Sequence, residues 1–209
     1  MRIPAVTDRL RPLWDFDDLE GSERRLQAQL AAEESASGRA EVLTQLARVR
    51  SLQDDFDGCE RLLQEAEALT EAGVVGVRID LERGRKLRSS GDGEAAALLF
   101  ERAYTRACDL DESYLAGDAA HMVAISMPDR MVEWTQRGLD LADSDPDAAY
   151  WAGPLLNNLG WHHFEAGEHE LALETFERAL EVRRRDPGNA IAIQWAQEAV
   201  DQARQALGR

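Results

Sequence analysis

The stretch LNNLGWHHFEAGEHELALETFERALEVRRRDP, from Leu156 to Pro187, carries two runs of fixed spacing: Leu156-x2-Leu159-Gly160-x2-His163 and, after a polar turn, Ala172-x3-Phe176-x2-Ala179. Residues three and four apart share one helix face, so the first run predicts a helix whose packed stripe is Leu156, Leu159 and His163. Gly160 and Ala172 are small where the two helices of the hairpin cross, which sets a short interaxial distance. Phe176 is placed to fill the gap towards the next unit, and Ala179 lets a following helix approach. A hairpin of this kind cannot bury its apolar face alone, so copies are expected upstream.

They are there. Leu43-x2-Leu46-Ala47-x2-Arg50, a polar turn from Gln53 to Asp57, and Cys59-x3-Leu63-x2-Ala66 superimpose on the last copy. In a second, Gly84 takes the crossing position, Ser90-Gly91-Asp92 the turn, and Ala96-x3-Phe100-x2-Ala103 the return helix. A third and weaker copy aligns Leu115-x2-Asp118-Ala119-x2-Met122 with Met131-x3-Thr135-x2-Gly138, which puts Trp134 one residue before the aromatic place and Pro128 in the first turn of the return helix. The crossing residues are then Ala47, Gly84, Ala119 and Gly160, at steps of 37, 35 and 41.

This pattern resembles the tetratricopeptide repeat, W-x2-L-G-x2-Y…A-x3-F…P, with the late proline at Pro187. The resemblance covers residues 38–187, and the whole chain is similar to small stand-alone bacterial proteins of that family. It implies an all-α fold, a right-handed superhelical solenoid of about ten antiparallel helices. The expected layout is an extended arm over 1–16, a cap helix over 17–36, repeats over 38–72, 75–109, 111–144 and 147–186, and a closing cap helix over 189–208. In that last segment Ile193, Ala196, Val200, Ala203 and Leu207 make a one-sided stripe.

Composition agrees with a globular helical chain: 209 residues, 44% hydrophobic, 31% charged, with 6% aromatic. A net charge of −16 argues against a nucleic-acid partner, because phosphate binding needs a concentrated cationic surface. Lys86 is the only lysine among 24 basic residues. Cys59 sits where Ala172 sits in the last copy and reads as a small core residue; neither it nor Cys108 suggests a disulfide scaffold. No run approaches the ~18 apolar residues of a membrane span, and the first residues lack an apolar leader core, so the expected location is the cytoplasm with no membrane partner. The arm carries Pro4 and Pro12 and ends in Leu13, Trp14 and Phe16. Two readings stand for it: a terminus whose Trp14 tucks against the first helix, or a segment lying in a groove, its own or a neighbour's.

No catalytic or cofactor motif is present, and none is expected to act: no P-loop, no G-x-G-x-x-G after a strand, no H-E-x-x-H, no G-x-S-x-G. His162, His163 and His169 are close in sequence, yet adjacent helical residues diverge by about 100°, so a metal site is not expected. In the tetratricopeptide family the first helix of each hairpin lines a concave groove. Carried over by motif, this implies inward positions at Thr44 and Arg48, Leu81 and Arg85, Ala116 and Ala120, and Asn157 and Trp161, with Ser51, Arg88, Val123 and Phe164 one turn on. Arg48, Arg85 and Arg88, with Arg78 at the rim, would suit an acidic peptide segment; the alternative is that these arginines only neutralise Glu41 and Glu82. Asn157 and Asn158 would bond an extended backbone over an apolar floor of Trp161 and Phe164. Thr44, Glu82, Ser113 and Gly117 depart from the clamp with which some family members hold chaperone tails, which argues against that partner. The implied function is non-enzymatic binding of a protein or peptide. Alternatives are self-association into a homodimer through the last helix and its Trp195, or a small-molecule-sensing role with a pocket inside the superhelix.

Overall fold

A computed structural model describes residues 8–70, 72–185 and 189–209. The beginning of the arm, through Thr7, and the late Pro187 lie outside the described residues. Among those described there are ten α-helices and no strand: α1 (Leu19–Ala32), α2 (Ala36–Leu52), α3 (Phe56–Leu69), α4 (Val74–Ser89), α5 (Gly93–Asp109), α6 (Ser113–Ser126), α7 (Met131–Ser144), α8 (Ala152–Glu165), α9 (His169–Arg184) and α10 (Ala190–Ala206). The expected all-α class is what the chain adopts. None of these helices is long and apolar enough to cross a membrane.

Local chemistry sets the helix ends. Asp18, Ser35, Asp55, Asp92 and Asn189 each accept a hydrogen bond from a backbone N–H in the first turn of the helix they precede, removing one orphan donor. Four turns share one closure. The N–H of Asp55, Asp92, Glu112 and Glu168 donates to the carbonyl five residues back, on Arg50, Leu87, Ala107 and His163, at 2.9 Å in every case. The residue before each has positive φ: Asp54, Gly91, Asp111 and Gly167. This is the Schellman geometry, found in the turns of the first, second and fourth hairpins and in the α5–α6 link between the second and third. The α6–α7 junction differs, because Pro128 opens a 3-10 turn, Pro128–Arg130, that runs into α7.

Helices α2, α4, α6 and α8 pack side by side, and each of α3, α5, α7 and α9 packs on the helix before it and the helix after it. The even-numbered helices therefore form one layer, with the return helices behind them. Leu63, Phe100 and Phe176 occupy the same place in α3, α5 and α9 and are fully buried. Each stabilises the stack by on the order of 2–3 kcal/mol through burial. A Cβ built on Gly84 would collide with the ring of Phe100, and one on Gly160 with the ring of Phe176. Those two glycines are what lets a buried phenylalanine lie across the hairpin.

The third hairpin is built otherwise. Its close approaches are at Gly117, which faces Trp151, and at Gly138, which faces Leu155. The aromatic position holds Thr135, buried with its hydroxyl unpartnered. Trp134 is also buried, edge-on to Tyr104 of the preceding return helix at 5.2 Å. Cys59 lies in the core of the first hairpin, where burial pushes its thiol up to about 12; Cys108 is an exposed free thiol.

Candidate functional site

The face of the even-helix layer turned away from the return helices carries residues at helical spacing. These are Gln45 and Arg48 on α2, Arg78, Glu82 and Arg85 on α4, Tyr114, Asp118 and His121 on α6, and Pro154, Asn157, Asn158 and Trp161 on α8. Two cavities lie along it and share His121 and Pro154 as their common wall.

The first, of about 230 Å³, is bounded by α2, α4, α6 and the chain's own residues 8–16. That segment lies on its own even-helix layer. Leu10 and Trp14 are buried with Leu26, Val42, Leu46 and Val49, and the Trp14 indole N–H donates to Gln45 Oε1 at 2.9 Å. Asp8 accepts two hydrogen bonds from Arg78, at 2.8 and 3.3 Å. Arg9 reaches Glu33 at 2.6 Å and Glu41 at 3.3 Å. Trp14 and Phe16 stack at 5.2 Å, and the Arg48 guanidinium lies 5.5 and 5.4 Å from their ring centres.

Of the three expected arginines, Arg48 and Arg85 line the first cavity and Arg88 does not. Arg48 lies beneath the arm. Arg85 is spent within the chain, donating to Glu82 Oε1 at 2.5 Å and to both carboxylate oxygens of Asp118 at 2.6 and 2.5 Å. Glu41 is met by Arg9 and Arg78, so the carboxylates that α2 and α4 were expected to seek from a partner are largely supplied from inside. Arg88 is exposed near the end of α4 and makes no ion pair among the described residues.

Burial disfavours the charge on Asp118, but Arg85 and Arg48 outweigh it and hold this carboxyl below the usual carboxylate range. At Glu82 burial wins: its carboxyl is pushed above that range, with Asp118 adding and Arg85 opposing. Burial, together with Arg85, Arg88 and Arg48, drives His121 down to about 4 against the pull of Asp118, so its imidazole is neutral at pH 7.

The second cavity, of about 450 Å³, lies between α6, α8 and α10 and is lined by Asn157, Asn158, Trp161, Arg183, Trp195 and Gln202 among others. The Asn158 side-chain nitrogen is 2.8 Å from His121 Nε2. Asn157 has only a 3.5 Å approach to Asn158, which leaves most of its carboxamide uncommitted. The Trp161 ring is fixed edge-on by Phe176 at 5.0 Å and Phe164 at 5.5 Å. Phe164 stands behind Trp161 rather than on the groove, against the last-hairpin core and His169. Trp195 is 64% exposed at the rim. His162 and His163 have ring centres 5.8 Å apart, and His163 Nδ1 pairs with Glu168 at 2.6 Å.

Sequence reasoning missed Asp118 and His121 as groove residues and put Ala116 and Ala120 there; both alanines are fully buried. Shifting the third copy by one residue, with Ala120 at the crossing, brings Asp118 into line with Gln45, Glu82 and Asn158, and His121 into line with Arg48, Arg85 and Trp161. The signal was present: in the apolar run YLAGDAAHMVA, Asp118 and His121 are polar residues three apart, on one helix face.

Compared with known proteins, the chain matches no protein-family model and no curated protein in sequence.

Proposed function

We propose that this chain is a tetratricopeptide-like right-handed solenoid that binds a peptide or protein segment without catalysis, in the concave half-groove between α6, α8 and α10. The observation that carries this reading is the uncommitted Asn157 carboxamide beside an exposed Trp195, in a groove of about 450 Å³. A carboxamide offers a donor and an acceptor with the spacing of an extended backbone, and a partly exposed tryptophan supplies apolar area at low entropic cost. Arg183 and Glu198 put both signs of charge on the walls, so the groove favours an apolar, backbone-bonded segment over a strongly acidic one. The repeated hairpin spacing and the recurring turn closures support the family reading, and the exposed free thiol of Cys108 supports a reducing, cytoplasmic setting.

Selection of displayed random peptides on the purified chain tests this. Enriched peptides should bind the parent and lose binding to Asn157→Ala and Trp161→Ala. If no sequence enriches, or if enriched peptides bind both variants as well as the parent, the reading fails. A second reading rests on Ile191 and Trp195, exposed four residues apart on α10: this stripe would seat a second copy of the chain. A monomer mass by light scattering at about 100 μM, well above a functional dimer constant, would remove it.

A further inference from the structure

The cavity beneath the arm encloses a guanidinium that no described carboxylate contacts. Its walls carry four guanidiniums, Arg11, Arg48, Arg78 and Arg85, and three carboxylates, Asp8, Glu82 and Asp118. Arg78 pairs with Asp8, and Arg85 with Asp118 and with Oε1 of Glu82. Arg11 donates to the Trp14 carbonyl and lies over Phe16. Arg48 makes no hydrogen bond or ion pair with any described residue, and its Nε is shut off from solvent with no partner. Withdrawing a cation from water is costly unless an anion pairs with it, and the flanking faces of Trp14 and Phe16 return only part of that cost.

Tyr114, Tyr150 and Trp151 make another part of the wall aromatic. Trp151 lies 5.4 Å from Tyr114 and 5.1 Å from Tyr150, and the Trp151 indole N–H is buried without an acceptor. Buried polar atoms without partners number a few per hundred residues in folded proteins. Five of them, among the described residues, belong to side chains lining this one cavity: Arg48 Nε, Arg78 Nε, Glu82 Oε2, His121 Nδ1 and Trp151 Nε1. With a water occupying ~30 Å³ in the liquid, the volume admits roughly eight water-sized groups. That fits a small molecule, and the docked arm supplies Asp8, Arg11, Trp14 and Phe16 to the lining.

We propose that this cavity is a binding site for a small planar carboxylate, its carboxylate on the Arg48 fork and its ring against Tyr114 and Trp151. This site is separate from the α6–α8–α10 groove and does not depend on it. The arm supplies Trp14 and Phe16 to the site, so a bound carboxylate holds the arm down.

The test is a titration of the full chain followed by tryptophan fluorescence and thermal unfolding, with benzoate as probe. Benzamide, which has the same shape without the charge, cyclohexanecarboxylate, which has the charge without the flat ring, and inorganic phosphate are the comparisons. Benzoate should give a saturable fluorescence change and a raised Tm at up to about 10 mM, while benzamide gives neither and cyclohexanecarboxylate binds several-fold more weakly. Arg48→Gln should weaken benzoate binding at least about tenfold, Arg48→Lys should bind with intermediate strength, and Arg61→Gln, at an exposed position of α3, should leave it unchanged. No saturable response to benzoate overturns the proposal, as does an equal response to benzamide. An equal response to phosphate overturns the ligand class. The parent titrations decide these outcomes even if an Arg48 variant does not fold.

Discussion

Replacing Gly84 by alanine sets two effects against each other. In an open helix interior the change gains up to about 1 kcal/mol, because alanine restricts the unfolded backbone. At Gly84, however, a new Cβ would lie 2.8 Å from both Cδ1 and Cζ of Phe100, whose ring is fully buried with nowhere to retreat. Overpacking a filled core costs about 1–3 kcal/mol, occasionally more, so Gly84→Ala should destabilise by roughly 1–2 kcal/mol net. Phe100→Leu also destabilises, but it removes the ring that the methyl group strikes. The double variant should therefore lose less than the sum of the two, with a coupling of about 1 kcal/mol or more. Urea unfolding followed by far-UV circular dichroism gives all four corners of the cycle, provided the slope is unchanged. A stabilised Gly84→Ala protein, or strictly additive losses, would show that Gly84 is not held small by Phe100, and the close-crossing account of the hairpins would fall with it.

Other outcomes follow from the buried polar residues. Asp118→Ala leaves Arg85 with Glu82 alone in a buried site and should cost about 3–5 kcal/mol in the same assay; a loss under about 1 kcal/mol would mean water replaces the carboxylate. Thr135→Val removes a buried, unpartnered hydroxyl at nearly constant volume, so stability should rise by about 1 kcal/mol, and a fall would point to a hydrogen bond the hydroxyl does make. His121 titrates near 4 in the fold and near 6.5 when unfolded, so the unfolded chain takes up a proton between those values that the folded chain refuses. Its contribution is complete above pH 6.5 and is lost as pH falls towards 4, by up to about 3 kcal/mol. Asp118 also weakens the fold in acid and Glu82 works in the opposite sense, so the measure is the difference between parent and His121→Asn, which should shrink across that window. A difference independent of pH would place His121 in contact with water.

What could be read from the chain and what could not divide along the range of the interactions. Gly84 with Phe100, and Gly160 with Phe176, are hairpin partners about sixteen residues apart, and their spacing alone announced the contact that the fold makes. The third hairpin resisted because Thr135 stands in the aromatic place and Gly117, not Ala119, meets the large side chain, Trp151; the register slipped by one residue and hid Asp118 and His121. The fate of the arginines was not legible. Arg85 finds Asp118 33 residues away and Arg78 finds Asp8 70 residues away, and no local pattern records which of several nearby carboxylates a guanidinium will choose. For the arm, the sequence offered two readings, and Trp14 on Gln45 with Asp8 on Arg78 is a segment lying on its own chain's helix layer. Asn157, Asn158 and Trp161 do share one groove wall, because they belong to a single helix where spacing alone decides the face.

The most direct measurement on the proposed groove is calorimetric titration of one display-selected peptide into four proteins: the parent, Asn157→Ala, Trp161→Ala and Arg88→Gln. Binding in the α6–α8–α10 groove predicts at least about a tenfold loss for each of the first two variants and less than about a twofold change for Arg88→Gln, which lies on neither cavity wall. Full affinity in Asn157→Ala and Trp161→Ala with a loss in Arg88→Gln would contradict it and return the site to the basic end of α4.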